Sequence, residues 1–154
     1  MRGLFSRFAV IISAIVLGVS SATAQQLPTR DDAVAFVKKA VEYVKINGKE
    51  KSLAEFNNPS GRFIDRELYI VVLDLDGMAL ANGVNPKMVG KNLIAIRDRN
   101  GNSFASDAIE LAKSKGRGWL PPYEFFNPAA QKMETKWSYV ERVDNMVVLS
   151  GVYR

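Results

Sequence analysis

The stretch that most constrains this chain is LYIVVLDLDGMALAN, residues 68–82. Residues 68–73 are an apolar run rich in β-branched side chains. A run that short, followed at once by turn residues, reads as a strand buried on both faces. Asp74-Leu75-Asp76-Gly77 then reverses the chain, because Asp bonds its own backbone and Gly supplies a positive φ. Residues 78–81 return as a second strand. The pattern predicts the central hairpin of an antiparallel sheet. A two-stranded hairpin is marginal in water, so the rest of the chain must supply more strands, and helices to cover both faces.

At 154 residues the chain is expected to form one domain. The N-terminus reads as an export leader. Arg2 and Arg7 precede the apolar run 8–19, and Ala22-Thr23-Ala24 ends a small-residue cleavage pattern. The run is short for a span of about 20 residues. The reading is a signal peptide over 1–24 and one domain over 25–154. Loss of two arginines and no acids would lower the net charge from +5 to +3. With no basic block, nothing argues for nucleic acid as a partner. The chain has no cysteine and hence no disulfide.

Further along, Thr29-Arg30-Asp31-Asp32 has the spacing of a capping box. Ala33, Phe36, Val37, Ala40, Val41 and Val44 recur at helical spacing, which predicts an amphipathic helix from 31 to about 46, ended by Asn47-Gly48. A short helix over 50–56 and a loop over 57–61 precede the hairpin. An irregular crossover follows it over 83–92, and a helix spans 103–114. Residues 119–126 read as a strand interrupted by Pro121-Pro122. Proline cannot donate to a ladder, so that strand is expected at an edge or at a bulge. Residues 136–142 and 146–153 make a last hairpin across Asp144-Asn145. Sequential strands with segregated helices define an α+β class.

The chain has no histidine either. Histidine-based catalysis, thiol nucleophiles, and histidine or thiolate metal sites are therefore closed to it. Asp98-Arg99-Asn100-Gly101-Asn102 resembles the start of a calcium loop, but Ser103 and Ile109 stand where an EF-hand needs Gly and a bidentate acid. It reads as a turn. No enzyme, metal or cofactor is expected. The informative residues are polar ones on apolar strands. Alternation puts Lys136 and Ser138 on one face, Trp137 and Tyr139 on the other. A lysine on a strand covered on both faces needs an anionic partner, either an internal acid or a ligand carboxylate, unless it snorkels to the surface. Trp119, Tyr123 and Phe125 share one parity if the prolines leave the register intact. They either wall a pocket or belong to the core.

Taken together, LYIVVLDLDGMALAN, NPKMVGKNL, DRNGNSF, GRGWLPPYEFFNP, KWSYVERV and VVLSGVYR resemble, in the same order, the extracytoplasmic single Cache sensor domains of the sCache_2 type. The stretches cover 68–154, and the helix over 31–46 sits where that family has its long N-terminal helix. The resemblance implies a PAS-like fold: a central antiparallel sheet of about five strands, the long helix on one face, and a ligand pocket on the other. It implies a periplasmic sensing module for small carboxylates (acetate, propionate, pyruvate or lactate) that acts through a membrane-bound signalling protein. A homodimer through the long helix is compatible with it. Lys136 would carry the charge for the ligand carboxylate. Tyr123 and Asn82 would add hydrogen bonds, and Trp119 and Phe125 would form the apolar wall. Tyr139 matches the family's KxxY pattern, though its parity opposes that of Lys136.

Two departures qualify this. The chain ends at Arg154, directly after GVYR, which suggests a stand-alone secreted domain. Asn82 stands where the family often has His, and the proline pair is unusual; both touch the expected pocket. A Cache-fold protein–protein adaptor that has lost its ligand is the competing expectation. A ligand of about four to six heavy atoms gains at most roughly −6 to −9 kcal/mol, so affinities should be micromolar or weaker.

Overall fold

A computed structural model describes residues 26–154. The leader expected over 1–24 lies outside the described residues. The first helix, α1, is Arg30–Asn47. Thr29 accepts the Asp32 amide while Asp32 accepts the Thr29 amide, the expected capping box, and Gly48 ends the helix with φ 79°. Helix α2, Lys49–Phe56, follows directly. The strands are β1 Ile64–Asp65, β2 Leu68–Tyr69, β3 Val71–Asp74, β4 Ala79–Asn82, β5 Arg117–Trp119, β6 Tyr123–Asn127, β7 Lys132–Val143 and β8 Met146–Tyr153. A single 3-10 turn, Pro86–Met88, lies in the crossover after β4, and α3 is Phe104–Ser114 with Ser103 as its cap.

Six strands form one antiparallel sheet in the order β4-β3-β8-β7-β5, with β6 also paired to β7. The fold is the expected α+β class. The hairpin over 68–82 is present but not central: β4 is an edge strand, and β8, buried at every residue, occupies the middle. The run 68–73 also divides at Ile70. Leu68 and Tyr69 pair with β1 outside the main sheet, and Val71–Asp74 pairs with β4 and β8. The turn is as expected. The Asp74 carboxylate accepts the Asp76 and Met78 amides at 2.9 Å, and Gly77 takes φ 88°.

Each face of the sheet carries its own apolar layer. Under α1 and α2, Phe36, Val37, Val41, Phe56 and Phe63 pack on Val72, Met146, Val148 and Val152. Under α3 and the crossover loops, Leu73, Phe104, Ala108, Leu120 and Tyr123 pack on Val147, Leu149 and Tyr153. Fully burying one such side chain contributes about 1.5–3 kcal/mol. No helix among the described residues is long and apolar enough to cross a membrane.

Candidate functional site

Lys136 lies on β7 with cross-strand neighbours on both sides, Tyr123 of β6 and Tyr153 of β8. Directly opposed residues share a face, so lysine and both tyrosines project toward the α3 layer. Lys136 is only 3% exposed. Its ammonium donates to the Tyr69 hydroxyl at 2.9 Å and to the Tyr153 hydroxyl at 3.1 Å. It also lies 4.2 Å from the Tyr69 ring centre and 5.3 Å from that of Phe125. Among the described residues no carboxylate pairs with it.

The proton count orders this network. Tyr153 has one hydroxyl hydrogen and gives it to the Phe126 carbonyl at 3.1 Å. The 2.8 Å contact between the two tyrosine oxygens therefore has Tyr69 as donor. Burial, followed by the neighbouring Tyr69, pushes the Tyr153 hydroxyl well above its ordinary pKa, so it stays protonated. An ammonium has three hydrogens. Two are used here, and the third has no protein acceptor among the described residues. Ser138, next along the same face, pairs with the Tyr123 hydroxyl at 2.8 Å. Burial also raises the Tyr123 pKa strongly. Gly151 lies opposite Ser138. A β-carbon there would come within 2.2 Å of the Trp137 carbonyl and 2.6 Å of the Ser138 hydroxyl, so only glycine leaves room for the pair.

Beside this network opens a cavity of about 500 Å³, walled by Tyr69, Asn82, Phe104, Tyr123 and Phe125 and bordered by the loop at 96–102 and the β6–β7 turn. Lys136 does not line it; Tyr69 and Phe125, which flank the ammonium, do. Asn82 is buried and faces it. Its side-chain oxygen accepts the Val84 and Asn85 amides, starting the crossover, while its amide nitrogen has only the Met88 sulfur at 3.4 Å, a weak acceptor.

Asp98 holds the rim. Its carboxylate accepts the Asn100, Asn102 and Glu124 amides and the Asn102 side chain, tying the loop to β6. Burial raises its pKa, but the Glu124, Asn102 and Asn100 donors outweigh that and bring it to about 2. The Asp98–Asn102 segment is thus a turn, as its sequence reads. Among the described residues no three acids gather closely enough to hold a metal ion.

Of the six expected site residues, Lys136, Tyr123, Asn82 and Phe125 share the cavity side of the sheet. Trp119 and Tyr139 do not. Trp119 pairs with Tyr139, and Tyr123 with Lys136. Between those pairs the proline strand carries one residue more than β7, a bulge that reverses its parity. Trp119 and Tyr139 therefore stack edge-to-face, 5.5 Å apart, in the layer under α1, and the Arg30 guanidinium lies 5.5 Å from the Trp119 ring centre. Sequence reasoning did not single out Tyr69, Tyr153, Glu67 or Phe104. Glu67 is buried and accepts the Tyr153 amide and Arg154 guanidinium, each at 3.1 Å. The available signal was polar atoms at the ends of apolar runs: Glu67 and Tyr69 before β3, Tyr153 at the end of β8.

Comparison with solved structures reports the same fold. A methyl-accepting chemotaxis protein from Vibrio parahaemolyticus RIMD 2210633 superposes with TM-score 0.67 at 22% identity, covering 80% of this chain and 86% of the other. The periplasmic sensor domain of a chemotaxis protein gives 0.61 at 22%, covering 80% and 88%. A Cache chemosensory domain that recognises carboxylic acids gives 0.61 at 24%, covering 80% and 86%. Comparison with curated proteins gives no match. The family model for single Cache domain 2 matches residues 10–154, beginning inside the segment read as a leader. The chain belongs to the single Cache domain 2 family, whose members are extracytoplasmic sensor domains.

Proposed function

We propose that this chain is an exported sensing module, with residues 1–24 removed as a leader, that binds a small carboxylate in the cavity and reports occupancy to a membrane-bound signalling protein. The observation that carries the reading is Lys136: a buried ammonium with two hydroxyl acceptors, no carboxylate partner among the described residues, and a cavity next to it. A buried charge without an opposite charge is costly, and a ligand anion would remove that cost. The carboxylate would take the ammonium's remaining hydrogen, with Tyr69 and Phe125 turning aside, and a second hydrogen bond from the Asn82 amide. The Tyr123 hydroxyl is engaged by Ser138, so its part would be to support the wall. The open cavity favours this reading over the ligand-free adaptor.

A thermal-shift screen of the purified protein against acetate, propanoate, pyruvate and lactate tests it. A ligand bound only by the folded state stabilises by RT ln(1 + [L]/Kd), so millimolar acid should raise the Tm visibly. The rise should vanish in Lys136→Met. Unchanged melting with every acid, in a protein that melts cooperatively, would overturn the reading.

A further inference from the structure

Two cations serve the cavity, one behind its wall and one on its border. Lys136 sits behind Tyr69 and Phe125. Arg97 is the only lysine or arginine among the described lining residues, and it comes from the loop at 96–102. Acids stand near it in the fold, but each is engaged elsewhere. The Asp98 carboxylate accepts the Asn100, Asn102 and Glu124 amides and the Asn102 side chain, and Glu124 pairs with Arg99. The Asp107 carboxyl is raised by burial and then by Glu110; Arg97 lowers it only as the smallest of the three influences. Among the described residues, Arg97 makes no ion pair with any acid.

The hydrogen bonds of Arg97 define which part of it is available. A guanidinium carries five N–H donors in a planar fork. Arg97 spends one of them, from Nη1 to the Ile94 carbonyl at 3.1 Å, within its own loop. That bond ties the side chain to the cavity border. The Nε–Nη2 edge, which can meet a carboxylate with two parallel bonds, has no acceptor among the described residues. A small monocarboxylate held at Lys136 would leave this fork unused. It would also leave unfilled much of a volume of about 500 Å³, which is room for roughly 15 liquid waters. We infer that the site takes a dicarboxylate, with one carboxylate at the Tyr69–Lys136 end beside the Asn82 amide and the other on the Arg97 fork. This rests on the carboxylate reading above and names the ligand class within it. Arg97 becomes the specificity-determining residue, and the spacing of the two carboxylates sets the affinity.

A calorimetric series of malonate, succinate, glutarate and adipate on the purified protein tests this, each beside its own monoamide. The monoamide keeps the size and one carboxylate, so the comparison isolates the second charge. One length should bind best, and that diacid should exceed its monoamide by about tenfold. This is the low end for a charge-assisted pair, because the border is open to water. In Arg97→Gln the preference should fall to about twofold, the statistical advantage of two equivalent ends. The Arg97 side chain is exposed, so the variant should fold, which cooperative melting checks. A diacid no more than about twofold tighter than its monoamide at every length, or a preference that persists in Arg97→Gln, overturns the second subsite. Binding of the monoamides and of propanoate would then leave the carboxylate reading intact. Failure of diacids, monoamides and propanoate alike overturns both.

Discussion

On the α1 face, β8 contributes Met146, Val148 and Val152 to a layer of Phe36, Phe56 and Phe63, and the aromatic rings meet edge-to-face at 4.7–6.0 Å. On the α3 face the same strand contributes Val147, Leu149 and Tyr153, beside a buried lysine, a buried asparagine, a buried serine and a cavity. One side is mostly hydrocarbon, its buried β8 polar group being Ser150 opposite Tyr139. The other keeps polar atoms and empty volume that an optimised core would not contain. The difference separates stability from function: substitutions on the first face should act on folding, and those on the second on binding.

The sharpest break in that division would come from Phe63→Ala. Phe63 is fully buried among Phe36, Tyr43 and Phe56, so its loss should cost about 3–5 kcal/mol in urea unfolding. Any ligand shift should survive at temperatures where the variant is folded. Gly151→Ala is next. The new methyl meets the Trp137 carbonyl and Ser138, so about 1–3 kcal/mol should be lost through overpacking. Here, unlike Phe63→Ala, binding should weaken as well, because Ser138 and Tyr123 must shift.

Lys136→Met sharpens the comparison in the opposite sense. Replacing a buried charge with an uncharged thioether of similar length should leave stability unchanged or raise it by about 1–2 kcal/mol, while carboxylate binding disappears. A large loss of stability would make Lys136 a structural group. The smallest effect concerns acid. The Asp98 carboxyl titrates near 2 when folded, below its ordinary value of 3.8. Its stabilising contribution is therefore complete above about pH 4 and lost as the pH falls through 2. Asp98→Ala should flatten that part of the acid-unfolding curve and loosen the 96–102 rim. A curve identical to that of the native protein would remove Asp98 from the rim.

Much of this fold is legible in residue order because local rules suffice. The Thr29 capping box, the α1 stripe, the Asp74–Gly77 turn and the β7–β8 hairpin each depend on neighbours within a few positions. The position of β8 at the sheet centre is not local. It depends on pairing between residues about 75 apart, such as Val72 with Val148. The site shows the same division. Alternation along β7 separates Lys136 from Tyr139 without any structure. The bulge at Pro121-Pro122 cannot be counted from one strand alone, and it moves Trp119 to the α1 face. Tyr69 and Tyr153 belong to different strands and converge on Lys136 only after three pairings form.

The most direct test of this division is a methyl NMR titration of the purified protein, with Ile, Val and Met labelled and propanoate added. Val84 and Ile96 line the cavity, whereas Val37, Val41, Met146 and Val148 lie on the α1 face. Saturable shifts in the first group, with the second unmoved and the response lost in Lys136→Met, are the predicted result. Shifts spread equally over both faces, or none at millimolar propanoate, would contradict it.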